Sequence, residues 1–127
     1  MARLGTILVV DDEAAIRRFL EQFLAAQGYT VTSAPNGQEA LALTSQVRPD
    51  LVLVDGMMPG LDGLAVCRRL RDDEATRDLP IILITASAEA DDIWLRSGAN
   101  AVVRKPFDGN ELLSWVARLI AAEVRLG

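Results

Sequence analysis

Side chains that can bind cations or phosphoryl oxygens follow four separate apolar runs in this chain. In chain order they are Asp11 and Asp12 after residues 6–10, Asp55 after 51–54, Thr85 after 81–84 and Lys105 after 101–104. If the runs are parallel strands, these residues meet at the carboxyl edge of one sheet, which is where open α/β sheets bind ligands. The spacing therefore predicts a single cleft containing three carboxylates, a hydroxyl and an ammonium.

The acids in this cleft favour a metal site. Asp11 and Asp12 alone could simply cap the following helix, because Asp is a favoured N-cap. With Asp55 beside them, however, the three charges repel one another unless a cation neutralises them or a proton is retained. Hard oxygen ligands favour Mg²⁺, with Mn²⁺ as the alternative ion. The backbone carbonyl of Met57 is a further candidate ligand.

The remaining polar groups favour phosphoryl chemistry only in combination. Gly56 lets its backbone amide approach a ligand closely, although the stretch at 56–63 also suits an ordinary strand-to-helix turn. Thr85 alone is a typical strand residue, and Lys105 alone is a typical solvated turn residue. Opposite an aspartate and a metal, they can stabilise developing charge on a phosphoryl group. Lys105-Pro106 is a candidate for a cis peptide bond.

The hydrophobic pattern predicts five alternating strand–helix units that would position these groups. The predicted strands cover about 6–10, 30–34, 51–54, 80–84 and 101–104, and the predicted helices about 14–27, 37–47, 63–72, 89–97 and 109–124. Strands one, three and four are apolar nearly throughout, as expected for strands covered on both faces. On the first helix, Phe19 is expected on the same apolar side as Leu20 and Phe23. We predict one domain over 1–127, without an output domain.

Composition excludes several classes of function. The chain has 127 residues and a net charge of −5, which argues against direct DNA binding. It has no histidine, so neither a histidine base nor a histidine metal ligand is available. The single cysteine, Cys67, is expected to be a small core residue rather than a redox thiol. No apolar run is long enough for membrane insertion, and a cytoplasmic location is predicted.

The motifs together resemble the receiver domains of bacterial two-component response regulators, of the chemotaxis type. The resemblance covers residues 5–124 and rests on five segments: Val-Val-Asp-Asp-Glu at 9–13, Asp-Gly-Met-Met-Pro-Gly-Leu-Asp-Gly at 55–63, Leu-Pro-Ile-Ile-Leu-Ile-Thr-Ala at 79–86, Ser-Gly-Ala at 97–99 and Lys-Pro-Phe at 105–107. It implies a flavodoxin-like, three-layer (βα)5 fold with a parallel sheet in the order 2-1-3-4-5.

The resemblance also implies a role for each residue of the cleft. Asp55 would accept a phosphoryl group from a histidine kinase or a histidine phosphotransfer protein. Asp12 would bind Mg²⁺ directly, Asp11 through water, and Met57 through its carbonyl. Thr85, Lys105 and the amides of Gly56 and Ala86 would hold the transferred group. The side chains of Met57 and Ser87 would gate the water that slowly hydrolyses it, so the chain would be a signalling switch and not a conventional enzyme.

One departure from the family pattern concerns output. The position three residues before Lys105 is usually Tyr or Phe in this family, and here it is Val102. The family's responding surface comprises the predicted helix at 89–97, the strand at 101–104 and the last helix, where we expect a downstream protein target or self-association. Trp94 is either a core residue or the anchor for such a partner.

Three alternative functions are distinguishable. A haloacid-dehalogenase-type phosphatase uses similar groups, but its nucleophile lies on the first strand, in the reverse of the order found here. A flavodoxin-type carrier needs a phosphate loop after the first strand, where Asp11, Asp12 and Glu13 would repel phosphate. A receiver-like module that no longer takes phosphate is the third alternative, against which the presence of Asp55, Thr85 and Lys105 argues.

Overall fold

The structure is a computed structural model that describes residues 4–56, 58, 60, 62–86 and 96–126, the last five of these as backbone only. Its strands are β1 Thr6–Val10, β2 Thr30–Ala34, β3 Leu51–Asp55, β4 Ile81–Thr85 and β5 Ala101–Arg104. Its helices are α1 Ala14–Ala26, α2 Gly37–Val47, α3 Gly63–Asp72 and α4 Gly109–Leu126. No helix among these residues is long and apolar enough to cross a lipid bilayer.

The five strands form one parallel sheet in the order β2-β1-β3-β4-β5. This order confirms the predicted topology. The three inner strands β1, β3 and β4 are the three runs that are apolar nearly throughout, because helices cover both of their faces. All five residues of β3 and of β4 are buried, whereas most of β2, at the edge, is partly exposed.

Alternation along each strand divides the core into two layers, since successive side chains point to opposite faces of a sheet. Leu8, Val52 and Leu83 face the layer that α2 and α3 cover, which includes Val66 and the buried Cys67. The opposite layer is covered by α1 and α4, and its members include the next residue of each strand, Val9, Leu53 and Ile84. The chain is therefore a three-layer, doubly wound α/β fold, as predicted.

Several local features differ from the sequence-based prediction by small amounts. Strands β3 and β4 each end one residue later than predicted, so Asp55 and Thr85 are strand residues. The Lys105-Pro106 peptide bond, in contrast, agrees with the prediction, since it is cis. Phe19 does not join the core: 52% of it is exposed. It lies at the edge of the buried stripe of α1 and stacks on Phe23, with the ring centroids 5.7 Å apart.

Candidate functional site

The polar residues predicted to meet at the carboxyl edge of the sheet do so because the strands are parallel and in register. Val10 of β1 pairs with Val54 of β3, so Asp11 and Asp55 follow at the same level of the sheet. Thr85 ends β4 opposite Arg104, directly before Lys105. The carboxyl ends of β1, β3, β4 and β5 thus bring their polar groups to one edge of the sheet.

Three carboxylates form an acidic cluster at this edge. One oxygen from each of Asp11, Asp12 and Asp55 lies within 4.8 Å of the other two. Asp11 is 2% exposed and Asp55 is 4% exposed, while Asp12 lies at the surface. Two of these carboxylates are buried and the third is exposed, so this pocket of hard oxygen donors borders on solvent at Asp12. Such a donor set suits a hard divalent cation.

Lys105 is the cation that faces this cluster. Its Nζ lies 3.3 Å from Oδ2 of Asp55 and 3.6 Å from Oδ2 of Asp11. It is also the only lysine in the chain. Burial favours its neutral form, but the charges of Asp11 and Asp55 outweigh burial and raise the pKa of Lys105 above its usual value. The side chain therefore stays an ammonium at neutral pH.

Asp11 is fixed by backbone contacts on several sides. Its N–H donates to the Ala34 carbonyl at 3.2 Å. Its Oδ1 accepts from the Glu13 N–H at 2.9 Å. Burial raises the pKa of Asp11, and the hydrogen bond from Glu13 and the charge of Lys105 oppose this, while Asp55 and Asp12 raise it further. A proton thus competes with a cation for Asp11 at higher pH than for an ordinary aspartate.

The groups predicted to hold a phosphoryl group differ in burial and in hydrogen bonding. Thr85 is fully buried at the end of β4, and its carbonyl accepts from the Lys105 N–H at 2.8 Å. Ala86 follows directly and is exposed. The Gly56 N–H, however, donates to the Ile84 carbonyl at 2.9 Å. Because Asp55 is a strand residue, the sheet's hydrogen bonding extends to Gly56. Contrary to the prediction, the Gly56 N–H is therefore not available to a ligand in this structure, because it donates to the Ile84 carbonyl.

The backbone of Asp55 and Gly56 lies against the start of α3. The Gly63 N–H donates to the Gly56 carbonyl at 3.3 Å, and Oδ1 of Asp62 caps α3 by accepting from the Ala65 N–H at 3.0 Å. A Cβ at Gly63 would lie 2.6 Å from the Asp55 carbonyl oxygen. Only glycine at this position lets the helix start so close to the backbone of Asp55.

Some predicted residues fall outside the described part of the chain. Met57, Ser87 and Trp94 are in this group, as is the predicted helix at 89–97 except for its last two residues. Val102 is described: it is half-buried, pairs with Leu83 of β4 and packs against the layer beneath α2 and α3. It occupies the strand position that was identified as a departure from the family pattern.

Arg17 contacts the site but was not singled out from the sequence. Its Nη1 donates to the Asp11 carbonyl oxygen at 2.7 Å. The sequence feature that could have indicated Arg17 is a cationic residue in the first turn of the helix that follows the acids. A positive charge is disfavoured there by the helix dipole, so its presence suggests a specific contact.

Comparisons with known proteins agree with this arrangement. The family model for the response regulator receiver domain matches residues 7–117. The phosphate regulon transcriptional regulatory protein PhoB of Pseudomonas aeruginosa is 45% identical over 124 residues, which are 96% of this chain and 53% of that protein. The response regulator PleD of Caulobacter vibrioides is 47% identical over 115 residues, 89% of this chain and 25% of that protein.

A solved structure gives the same result for the fold. The signal receiver domain of a signal transduction histidine kinase from Syntrophus aciditrophicus superposes with a TM-score of 0.87 at 36% identity, covering 93% of this chain and 91% of that one. The chain spans about half the length of PhoB and a quarter of that of PleD. With the family model covering most of the sequence and the acidic cluster at the expected edge, the chain belongs to the response regulator receiver domain family.

Proposed function

We propose that this chain is a phosphorylation-dependent signalling switch that accepts a phosphoryl group on Asp55. The observation that carries the proposal is the position of the Lys105 ammonium, 3.3 Å from the Asp55 carboxylate and within the acidic cluster. Asp55 is 4% exposed, so its carboxylate is largely shielded from bulk solvent. A carboxylate nucleophile beside a fixed cation and a cation site is the arrangement that phosphoryl transfer requires.

We infer that the acidic cluster holds Mg²⁺, with Asp12 and Asp55 as direct ligands and Asp11 acting through water. The three carboxylates fit this ion because Mg²⁺ prefers oxygen ligands and keeps several of its own waters, for which the exposed side of Asp12 leaves room. When bound, the ion neutralises negative charge on the phosphoryl oxygens. The Met57 carbonyl remains a proposed ligand outside the described residues.

In the transfer step, an oxygen of Asp55 attacks the phosphorus of a phosphohistidine on a partner protein. The P–N bond breaks, the imidazole leaves with the electron pair, and an acyl phosphate forms on Asp55. Lys105 moves its ion pairing from the carboxylate to the phosphoryl oxygens, and the Thr85 hydroxyl and the Ala86 amide donate to them. Water attack at phosphorus later returns the carboxylate and inorganic phosphate, with Ser87 and Met57 as the proposed gate.

The partners follow from the same proposal. The phosphodonor is a histidine kinase or a histidine phosphotransfer protein. The response is a changed affinity for a protein target, or for a second copy, at the surface formed by β5, α4 and the segment before β5. PhoB and PleD extend well beyond the region that matches this chain. The proposed function is that of the receiver domain alone.

Phosphorylation in the presence and absence of Mg²⁺ tests the proposal. Wild type treated with acetyl phosphate and Mg²⁺ should gain one phosphoryl group by intact-mass spectrometry. Asp55→Asn should gain none, because an amide is a poor nucleophile of nearly the same shape. For the same extent of phosphorylation, Asp12→Asn should need at least roughly tenfold more Mg²⁺ than wild type. Asp72→Asn, an exposed control at the end of α3, should need the same Mg²⁺ concentration as wild type. Equal phosphorylation of Asp55→Asn and wild type would exclude the proposed acceptor.

A further inference from the structure

Arg17 makes a contact that the proposed phosphoryl chemistry does not use. Its Nη1 donates a 2.7 Å hydrogen bond to the backbone carbonyl of Asp11, and its side chain is half-buried. The next residue, Arg18, is exposed on the same helix. Adjacent residues on a helix point about 100° apart, so one arginine reaches the loop that carries the acids while the other points to solvent.

The location of Arg17 is electrostatically unfavourable for a metal site. Helix α1 begins at Ala14, and a cation near a helix N-terminus opposes the helix dipole. A cation close to Asp11 and Asp12 also competes with a metal ion for the same carboxylates. If charge were the main effect of Arg17, this side chain would weaken cation binding.

The hydrogen bond acts instead on a single peptide unit. The Asp11 carbonyl and the Asp12 N–H belong to the same rigid plane. Asp11 is already fixed at its N–H by Ala34 and at its carboxylate by the Glu13 amide. Rotation of the plane between Asp11 and Asp12 would swing Asp12 relative to the other two carboxylates. The Arg17 hydrogen bond opposes that rotation.

We propose that Arg17 is a positioning residue for the cation site, which orients Asp12 toward Asp11 and Asp55 through the Asp11 carbonyl. The inference rests on the proposed function in that it takes the acidic cluster to be a Mg²⁺ site. Outer-shell contacts that orient a metal ligand typically change affinity by 10- to 100-fold when they are removed. Positioning therefore predicts weaker binding without Arg17, whereas simple charge repulsion predicts tighter binding. The two explanations therefore predict opposite changes in the Mg²⁺ dissociation constant.

The test compares Arg17→Met with Arg18→Met. Both substitutions remove one positive charge from α1, and methionine has nearly the helix propensity of arginine. Mg²⁺ is titrated against each protein while the amide NMR signals of residues 11–13 and 55–56 are followed. We expect the Mg²⁺ dissociation constant of Arg17→Met to rise by about tenfold, and that of Arg18→Met to change by less than about twofold. An unchanged or lower dissociation constant for Arg17→Met overturns the proposal.

Arg17→Lys provides a second test if Arg17→Met fails to fold. It keeps the charge but replaces the planar guanidinium with a single ammonium on a flexible stem. We expect a dissociation constant between those of wild type and Arg17→Met, or about threefold above wild type if only the lysine variant folds. A value equal to wild type together with an unshifted Asp12 amide signal overturns the proposal.

These outcomes are separate from those of the phosphorylation test. If wild type binds Mg²⁺ but takes no phosphoryl group, the proposed function fails, and the Arg17 comparison can still be made by titration. If wild type is phosphorylated and Arg17→Met binds Mg²⁺ normally, only the positioning role is lost.

Discussion

At the scale of single residues, the site depends on a balance between two buried carboxylates and one ammonium. Lys105 lies between Asp11 and Asp55, at 3.6 and 3.3 Å. Burial of the amine alone would lower its pKa, and the two acids reverse that effect. A Lys105 pKa above its ordinary value therefore indicates that Asp11 and Asp55 carry negative charge.

Because Lys105 is the only lysine, its pKa can be measured without assignment ambiguity. With ¹³C-labelled lysine, the ε-carbon signal of wild type should show a pKa above the ordinary value for lysine. A pKa raised by folding means that this ammonium stabilises the fold fully below its unfolded pKa of about 10.4, and that the contribution is lost as pH rises through the folded pKa. Asp55→Asn should lower the Lys105 pKa, since burial is then opposed by less negative charge.

The control for this measurement is Asp108→Asn, an exposed acid in the loop before α4. It should leave the Lys105 signal nearly unchanged. A Lys105 pKa at or below the ordinary value in wild type would mean that the ion pairs in the structure do not persist in solution.

At the scale of elements, two glycines that begin helices provide a matched pair. A Cβ at Gly63 would lie 2.6 Å from the Asp55 carbonyl oxygen and 2.7 Å from the Gly56 Cα, both backbone atoms. A Cβ at Gly109 would lie 2.8 Å from Cζ of the Phe23 ring, an atom at the far end of a side chain, which can shift more easily than backbone. Gly63→Ala should cost about 1–3 kcal/mol of unfolding free energy and should slow phosphorylation, because α3 must shift from β3.

Gly109→Ala should cost less than Gly63→Ala and should leave phosphorylation close to the wild-type rate. Urea unfolding and the acetyl phosphate reaction supply both measurements. Similar losses in the two variants would show that the close approach of α3 to Asp55 is not a special constraint.

Arg71 joins elements at the other end of the sheet. From α3 its guanidinium donates to the carbonyls of Leu79 at 2.6 Å and Gly98 at 2.9 Å and to the side chain of Asn100 at 2.9 Å. Asn100 in turn accepts from the Ile81 N–H at 2.8 Å. Burial lowers the pKa of Arg71. Because these carbonyls lose a charged donor in Arg71→Met, we expect a loss of about 2–4 kcal/mol in unfolding free energy.

The matched control is Arg69→Met, an exposed arginine in the last turn of the same helix. It should change stability by less than about 0.5 kcal/mol. Native-state hydrogen exchange should also become faster at residues 98–100 in Arg71→Met alone. If the two variants unfold at the same urea concentration, Arg71 is not the link between α3 and the start of β5.

At the scale of the whole molecule, the part of the fold that hydrophobic pattern controls could be predicted from the sequence. Strands β3 and β4 are buried on both faces, as their continuous apolar runs predict for inner strands. Parallel strands bring Asp11, Asp55 and Lys105 to one edge of the sheet, and the strand order that makes them neighbours came from the family resemblance.

The features that the sequence could not predict depend on where neighbouring elements end. The Gly56 amide was expected to face a ligand, but β3 pairs one residue further and the Ile84 carbonyl takes it. Phe19 fits the apolar stripe of α1, yet 52% of it is exposed and it contacts the rings of Phe23 and Phe107. Arg17 reaches the Asp11 carbonyl only because α1 starts close to β1. The roles predicted for Ser87 and Trp94 stay predictions.

Signalling requires that the pocket communicate with a surface. Thr85 pairs with Arg104, and Leu83 pairs with Val102, so β4 connects the pocket to β5 through the sheet. Since Val102 cannot act as an aromatic rotor, we expect the change to pass through the backbone of this strand pair. Fluoroberyllate with Mg²⁺, which mimics the phosphoryl group, should slow hydrogen exchange at 96–104 as well as at 11–13 and 55–56.

The control for that experiment is Asp55→Asn, which should show no change with fluoroberyllate. Val102→Tyr should alter the exchange at 96–104 while leaving the pocket response intact. Protection confined to the pocket in wild type would indicate that the chain stores a phosphoryl group without passing a signal to β5.

The central claim is that one aspartate, Asp55, accepts the phosphoryl group, and borohydride trapping tests it most directly. Borohydride reduces an aspartyl phosphate to homoserine, which marks the modified position permanently. After treatment with acetyl phosphate and Mg²⁺, peptide sequencing by mass spectrometry should find homoserine at position 55 and nowhere else, and none when Mg²⁺ is omitted. Homoserine at Asp11, Asp12 or Asp62, or its absence from position 55 in a folded, Mg²⁺-bound protein, would contradict the account.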